Sequence, residues 1–337
     1  MSTPRVSILL PVLNAEATIQ GTLHSLFNQE YRDFEVLVID DGSRDNTPAI
    51  LEAEEDPRLR VLRNPERLKL SGALNRGLEE ARGEFIARMD ADDLARPTRL
   101  LLQVSFMDRH PEIMLCGSAT QHFGDRISKT ERYPAKPEAI RAFSLFNCPF
   151  AHPTVLFRRK AFLEAGLRYD GSFYPSEDYE LWARMVHQFP CANLQDVLLD
   201  YRVHGQSMTG SDWSNMDEQS CRLMGEQFQR LGIELTETRL KLNRDIGMAR
   251  VPGHRLQEAL EHLQDLLRRN EEREFCPSQA LLAQIRERWF HVCMNASGAS
   301  APKTKLFLDK ALWGTERPPL WQQGLMLLSE LRQRCGF

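Results

Sequence analysis

What most constrains this 337-residue chain is the alternation, over its first hundred residues, of short β-rich runs with segments of helical periodicity. Runs at 5–10 (Arg-Val-Ser-Ile-Leu-Leu), 34–39 (Phe-Glu-Val-Leu-Val-Ile), 58–62 and 84–89 each stop at a polar or turn residue and read as strands. Between them Ile19, Leu23, Leu26 and Phe27 recur at helical spacing, as do Leu74, Leu78 and Ala81 in a segment that closes at Gly83. Asn46-Thr47-Pro48 has the form of a cap followed by proline at the first helical position. Such alternation requires right-handed crossovers and predicts an α/β fold, a Rossmann-like, mostly parallel sheet with helices on its faces.

Leu101, Val104 and Met107 mark a further helix, Ile113 to Cys116 and Thr154 to Phe157 two further strands, and Glu177 to Phe189 an amphipathic helix. The small polar stretch Gly205-Gln-Ser-Met-Thr-Gly-Ser-Asp212 reads as a linker, and beyond it only helical patterns occur. Leu256, Leu260, Leu263 and Leu267 form one stripe, Leu281, Leu282, Ile285, Trp289 and Val292 another, and Pro318-Pro319 opens a last helix through Arg334. A first domain over 1–212 and a helical domain over 213–337 follow.

Charge and composition exclude several functions. The net charge is −4, with −6 up to Asp212 and +2 beyond it, so no basic field exists to hold nucleic acid. The longest apolar stretches, such as Val6 to Leu13, fall far short of a membrane span. The N-terminus lacks the apolar core and cleavage site of a signal peptide, which predicts a cytoplasmic protein. Seven cysteines without a Cys-x-x-Cys pair read as reduced core thiols.

In an open parallel sheet, ligands bind beyond the carboxyl ends of the strands. The polar punctuation lies there: Pro11-Val12-Leu13-Asn14 after the first strand, Asp40-Asp41-Gly42-Ser43 after the second, and Asp90-Ala91-Asp92-Asp93 after the strand at 84–89. Neither a Gly-x-Gly-x-x-Gly nor a Gly-x4-Gly-Lys-Ser/Thr loop is present, so phosphate must be held by other means. Asp90 and Asp92, two apart in an extended segment, would face one Mg2+ or Mn2+ together, unless this acidic run only caps the next helix. Asp40 to Ser43 also fits a plain Asx turn. Glu177 and Asp178 open a helix, either to favour its dipole or to supply a general base, and Trp182 nearby offers a face for a sugar ring or for the core. His204 is a further metal or phosphate candidate, or an ordinary surface histidine.

Val6-Ser-Ile-Leu-Leu-Pro-Val-Leu-Asn14, Val38-Ile-Asp-Asp-Gly-Ser43, Asn75-Arg-Gly-Leu78, Ala81-Arg-Gly-Glu-Phe-Ile86, Asp90-Ala-Asp-Asp93 and Glu177-Asp-Tyr-Glu-Leu-Trp182 occur in the order and spacing of family 2 glycosyltransferases. Over roughly residues 4–210 the chain resembles that family. The resemblance implies a GT-A fold and inverting transfer of sugar from a nucleoside diphosphate to a glycan or lipid-linked acceptor. It implies that Pro11 and Asp41, with Val12 and Asn14 alongside, border the base and that Lys69 lies near the nucleotide. Asp90 would lie at the ribose or metal, Asp92 would bind the metal with His204, and Asp178 would be the base, with Glu177 and Trp182 in the acceptor or sugar region. Leu13 replaces a tyrosine common in the family, and Gln219-Ser-Cys-Arg222 is followed by leucine, outside the Gln-x-x-Arg-Trp pattern of processive synthases, so one sugar per encounter is expected. A sugar nucleotidyltransferase and a non-catalytic sugar-nucleotide-binding subunit are the competing readings. Peripheral membrane association and self-association through the C-terminal helices are further candidates.

Overall fold

The computed structural model describes residues 3–125, 128–204, 213–297 and 303–335. They fall into two compact units, Met1–Ile140 with Cys148–Met216, and Arg141–Asn147 with Asp217–Phe337. Residues 205–212, which the sequence marks as a linker, lie outside the described residues.

The first unit begins β1 (Val6–Val12), α1 (Ile19–Phe27), β2 (Phe34–Asp40), α2 (Thr47–Ala53), β3 (Leu59–Arg63), α3 (Lys69–Glu80) and β4 (Phe85–Arg88). It continues β5 (Leu94–Ala95), α4 (Arg99–Arg109), β6 (Leu115–Gly124), β7 (Thr130–Glu131), α5 (Pro137–Phe143, whose last three residues belong to the second unit), β8 (Leu156–Arg158), α6 (Arg159–Glu164), α7 (Glu177–Met185) and β9 (Cys191–Val203). The strands form one sheet in the order β3-β2-β1-β4-β8-β6-β9-β5, with β7 beside β6.

The predicted parallel arrangement holds for β3, β2, β1 and β4. Beyond β4 the sheet is mixed, because β8 inserts antiparallel between β4 and β6, and β5 runs antiparallel to β9. The parallel half has two covered faces built from alternating residues. Ile8, Leu10, Val36 and Val38 pack on α1, α2 and α4, while Leu9, Leu37 and Ile39 pack on α3. Gly83 is demanded by the sheet, not by the end of α3. A Cβ there would lie 2.5 Å from the backbone N of Ser7, so only glycine lets the chain enter β4 beside β1.

The second unit contains α8 (Trp213–Arg230, whose first four residues belong to the first unit), α9 (Glu237–Gly247), α10 (Leu256–Arg273), α11 (Ser278–Asn295), α12 (Lys303–Phe307), α13 (Lys310–Trp313) and α14 (Leu320–Cys335). Leu256, Leu260, Leu263, Leu281, Ile285, Trp289 and Val292 of the two predicted stripes are buried in one core. Residues 141–147 join this unit through hydrogen bonds that periodicity does not announce. Gln227 Nε2 donates to the Ser144 carbonyl at 3.0 Å, Asn243 Nδ2 to the Leu145 carbonyl at 2.8 Å, and Arg244 Nη1 to Asn147 Oδ1 at 3.0 Å.

Candidate active site

The carboxyl ends of β1 and β2 are laced together by their loops. Asn14, at φ +51°, receives the Arg44 N–H on Oδ1 at 2.9 Å and gives its own N–H to Ser43 Oγ at 2.9 Å. The Ala15 N–H donates to Thr47 Oγ1 at 2.8 Å, and the Asn46 N–H to Glu16 Oε2 at 2.8 Å. Asp40 Oδ1 accepts from the Ser43 N–H at 2.9 Å, which is the Asx-type turn.

Asp41 faces the other way. Its Oδ1 accepts from Asn64 Nδ2 at 2.6 Å and from the Leu68 N–H at 2.7 Å, and among the described residues its Oδ2 has no donor. Exposed Lys69 follows Leu68 directly and begins α3 at φ +60°, so it sits on the same rim. Pro11 is half-buried beside Ile39. Val12 is corrected to a core residue: its side chain is 2% exposed among the helices, and it serves the rim only through its carbonyl, which accepts the Asp41 N–H at 2.9 Å.

At the end of β4 the extended geometry assumed for Asp90 and Asp92 does not occur. The chain turns at Ala91-Asp92, and the alternation rule lapses with the strand. Asp90 pairs with the buried Arg88 guanidinium, and Asp92 Oδ2 meets His204 Nε2 at 3.1 Å. Asp93 is no helix cap. It is buried and accepts the Arg202 N–H at 2.7 Å, while Arg202 Nε donates to the Asp92 carbonyl at 2.9 Å, so β9 holds the acidic turn in place.

Burial raises Asp90 and pushes Asp93 well above the usual carboxylate range, with neighbouring carboxylates adding to both. Burial also works against the charge on Arg88, and the Asp90 carboxylate more than restores it.

The N-terminus of α7 shares this field. Burial raises Asp178, against the pull of the Tyr179 N–H at 2.7 Å, of Arg88, and of the Cys148 thiol, whose Sγ lies 3.7 Å from Oδ2. Glu177 is 2% exposed, its Oε2 has no hydrogen-bond partner among the described residues, and burial with adjacent Asp178 pushes it up to about 7. The charge of Arg88 opposes both upward shifts.

Beneath them Tyr169 Oη and His152 Nε2 are 2.9 Å apart. Burial and then Arg88 hold His152 well below its ordinary value, so its ring is neutral. Trp182 is corrected to a core residue as well. It is 0% exposed, and Phe150, His152, Phe157 and Tyr169 meet it edge-on at 6.0 to 6.3 Å, leaving no face for a sugar. Arg88, His152 and Tyr169 escaped the sequence reading. The arginine two residues before Asp90 was its one local signal.

Among the described residues no group of three or more His, Cys, Asp and Glu side chains could hold a metal ion. Asp92 and His204, each about one-third exposed, still fit a divalent ion that takes few protein ligands and fills its remaining positions with phosphate oxygens and water. No described helix is long and apolar enough to cross a membrane.

Residues 7–167 match the sequence profile of Glycosyl transferase family 2. The chain is similar to the amylovoran biosynthesis glycosyltransferase AmsE of Erwinia amylovora, at 32% identity over 239 residues covering 69% of this chain and 87% of AmsE. In fold it is similar to S. aureus TarS 1–349 in complex with UDP-GlcNAc, with a TM-score of 0.57 at 17% identity, covering 98% of this chain and 92% of that one. It is also similar to the mannosyltransferase PcManGT from Pyrobaculum calidifontis in complex with GDP-Man and Mn2+, with a TM-score of 0.53 at 15% identity over 99% and 88% of the two chains. At such identities the two structures speak for the fold alone.

Proposed function

Since the chain belongs to glycosyl transferase family 2 and is a glycosyltransferase, we propose that it moves one sugar, with inversion, from a nucleoside-diphosphate donor to a hydroxyl of a glycan or glycolipid in polysaccharide biosynthesis. The observation that carries this reading is that Trp182 of α7 packs on Phe157 of β8, the strand paired with β4, whose end holds the Arg88–Asp90 ion pair, which supports one site for the carboxyls of β4 and α7. Every site residue lies in the first unit, which we take as the catalytic one.

Asp41 Oδ2, lacking a protein donor, is the acceptor for a ring N–H of the base. Asp92 and His204 would hold Mg2+ or Mn2+, which when bound offsets the charge gathering on the departing diphosphate. The Mn2+ in the mannosyltransferase complex supports that choice.

Asp178 takes the proton of the attacking hydroxyl. Its Oδ1 is steadied by the Tyr179 N–H, and burial strengthens it as a base by bringing its proton affinity toward neutrality. Glu177 Oε2, buried and unpartnered, is placed to bond a sugar hydroxyl.

Asp178→Asn tests the assignment. Donor affinity measured by calorimetry should hold, while transfer to a saturating acceptor should fall about 100-fold or more. Near-normal transfer would remove Asp178 as the base.

A further inference from the structure

Helix α14 is turned the wrong way round for a helix in water. A surface helix ordinarily buries its apolar stripe and shows its polar one. Here Leu320, Trp321, Leu325, Leu327 and Leu328 are 42% to 85% exposed, and at about 100° per residue they share one arc with Gly324. The polar and inward contacts hold that orientation. Glu330 accepts the Thr304 N–H at 3.2 Å, Gln323 Nε2 donates to the Pro318 carbonyl at 2.6 Å, and Met326 is buried. Trp321 meets Phe290 edge to face at 5.4 Å, which fixes the indole while leaving most of it outward.

We propose that this arc is a membrane-docking surface that rests in the interfacial layer of an anionic lipid bilayer, with α14 parallel to the plane. Two observations select that occupant. The arc presents on the order of 500 Å2, whereas a stable contact with a second copy of this chain needs about 800 Å2 from each partner. The charges are also complementary to anionic headgroups. In sequence, residues 303–337 carry six basic and three acidic side chains; Lys303 is buried, while Lys305, Lys310 and Arg317, which precede the helix, are exposed.

The three acids are already engaged: Glu316 with Arg286, Glu330 with Thr304, and Asp309 as acceptor from Gln264. An acid-free apolar arc with tryptophan, preceded by exposed cations, suits the boundary between headgroups and acyl chains. The inference is independent of the roles given to Asp92 and Asp178.

Flotation of the full chain with phosphatidylcholine vesicles, with and without about 30% phosphatidylglycerol, tests it. The protein should float with the anionic vesicles and be released by high salt. Trp321→Glu with Leu325→Glu should lower the bound fraction about tenfold or more at unchanged unfolding temperature. Leu320→Glu, at the most exposed position, serves as a second variant should the first misfold. Failure of the wild-type chain to float, or equal flotation of the variants, overturns the proposal. So does a concentration-dependent dimer, seen by light scattering, that Leu325→Glu dissociates, because the arc would then belong to a second copy.

Discussion

The strand ends of β1 and β2 and the acidic turn after β4 both carry clustered carboxylates, yet they are built in opposite ways. At β1 and β2 the carboxylates of Asp40, Asp41 and Asp45 are met by backbone N–H groups and an amide side chain from neighbouring loops. At β4 and α7 five carboxyl groups, Asp90, Asp92, Asp93, Glu177 and Asp178, crowd a region whose buried cations are Arg88, paired with Asp90, and Arg99, near Asp93, and burial raises four of the five. The first region spends its polar groups on a rigid rim. The second holds carboxyls whose charged forms burial disfavours, the condition a cationic or hydroxyl-bearing ligand would relieve.

Removing the Arg88 cation should break the contrast most severely. Arg88→Leu takes from the half-buried Asp90 its ion-pair partner and should cost about 3 kcal/mol in urea unfolding. A loss under 1 kcal/mol would mean that the acidic turn does not depend on Arg88.

Glu177→Gln probes the same effect of burial through pH. Glu177 is held at about 7 against an ordinary 4.5, so the folded state binds its proton more tightly than the unfolded chain does. Its contribution is therefore favourable below pH 4.5 and is lost as pH rises through 7. Glutamine cannot ionise, so the variant should be more stable than the wild type at pH 8, by on the order of 3 kcal/mol, with the gain vanishing toward pH 4.5. Thermal unfolding across that range checks the sign. A gain independent of pH would locate the effect in packing.

On the β1 and β2 side, effects should be smaller and fall on ligands. Asp41→Asn keeps an oxygen for Asn64 and Leu68 but turns the free oxygen into a donor. Nucleoside diphosphate affinity should drop about tenfold with little change in stability. An unchanged dissociation constant would reduce Asp41 to a loop anchor. Asn14→Ala loses one bond to Arg44 and sits at a positive φ, so about 1 kcal/mol of stability is at stake. A larger loss would show that the lacing carries more of the rim than its hydrogen bonds suggest.

The contrast between the two regions is also one of legibility. Asp41, Asp92 and Asp178 stood out because each follows a strand end or opens a helix, features that local periodicity reveals. Arg88, His152 and Tyr169 did not, since their meeting depends on β8 inserting beside β4 and on α7 packing across both. Trp182 was ambiguous for the same reason: an aromatic at helical spacing looks alike whether four rings or solvent surround it.

By itself the sequence determined the parallel half of the sheet, the helical character of the C-terminal part, and the strand ends at which polar groups collect. These follow from backbone periods of 2 and 3.6 residues and from turn chemistry, all local. Only the tertiary structure decided that β6 pairs parallel with β9, that residues 141–147 belong with the helical unit, and that Asp90 answers to Arg88 and Asp92 to His204. Those outcomes depend on which distant apolar faces meet and how far each carboxylate is carried from water, and neither quantity exists until the chain has packed.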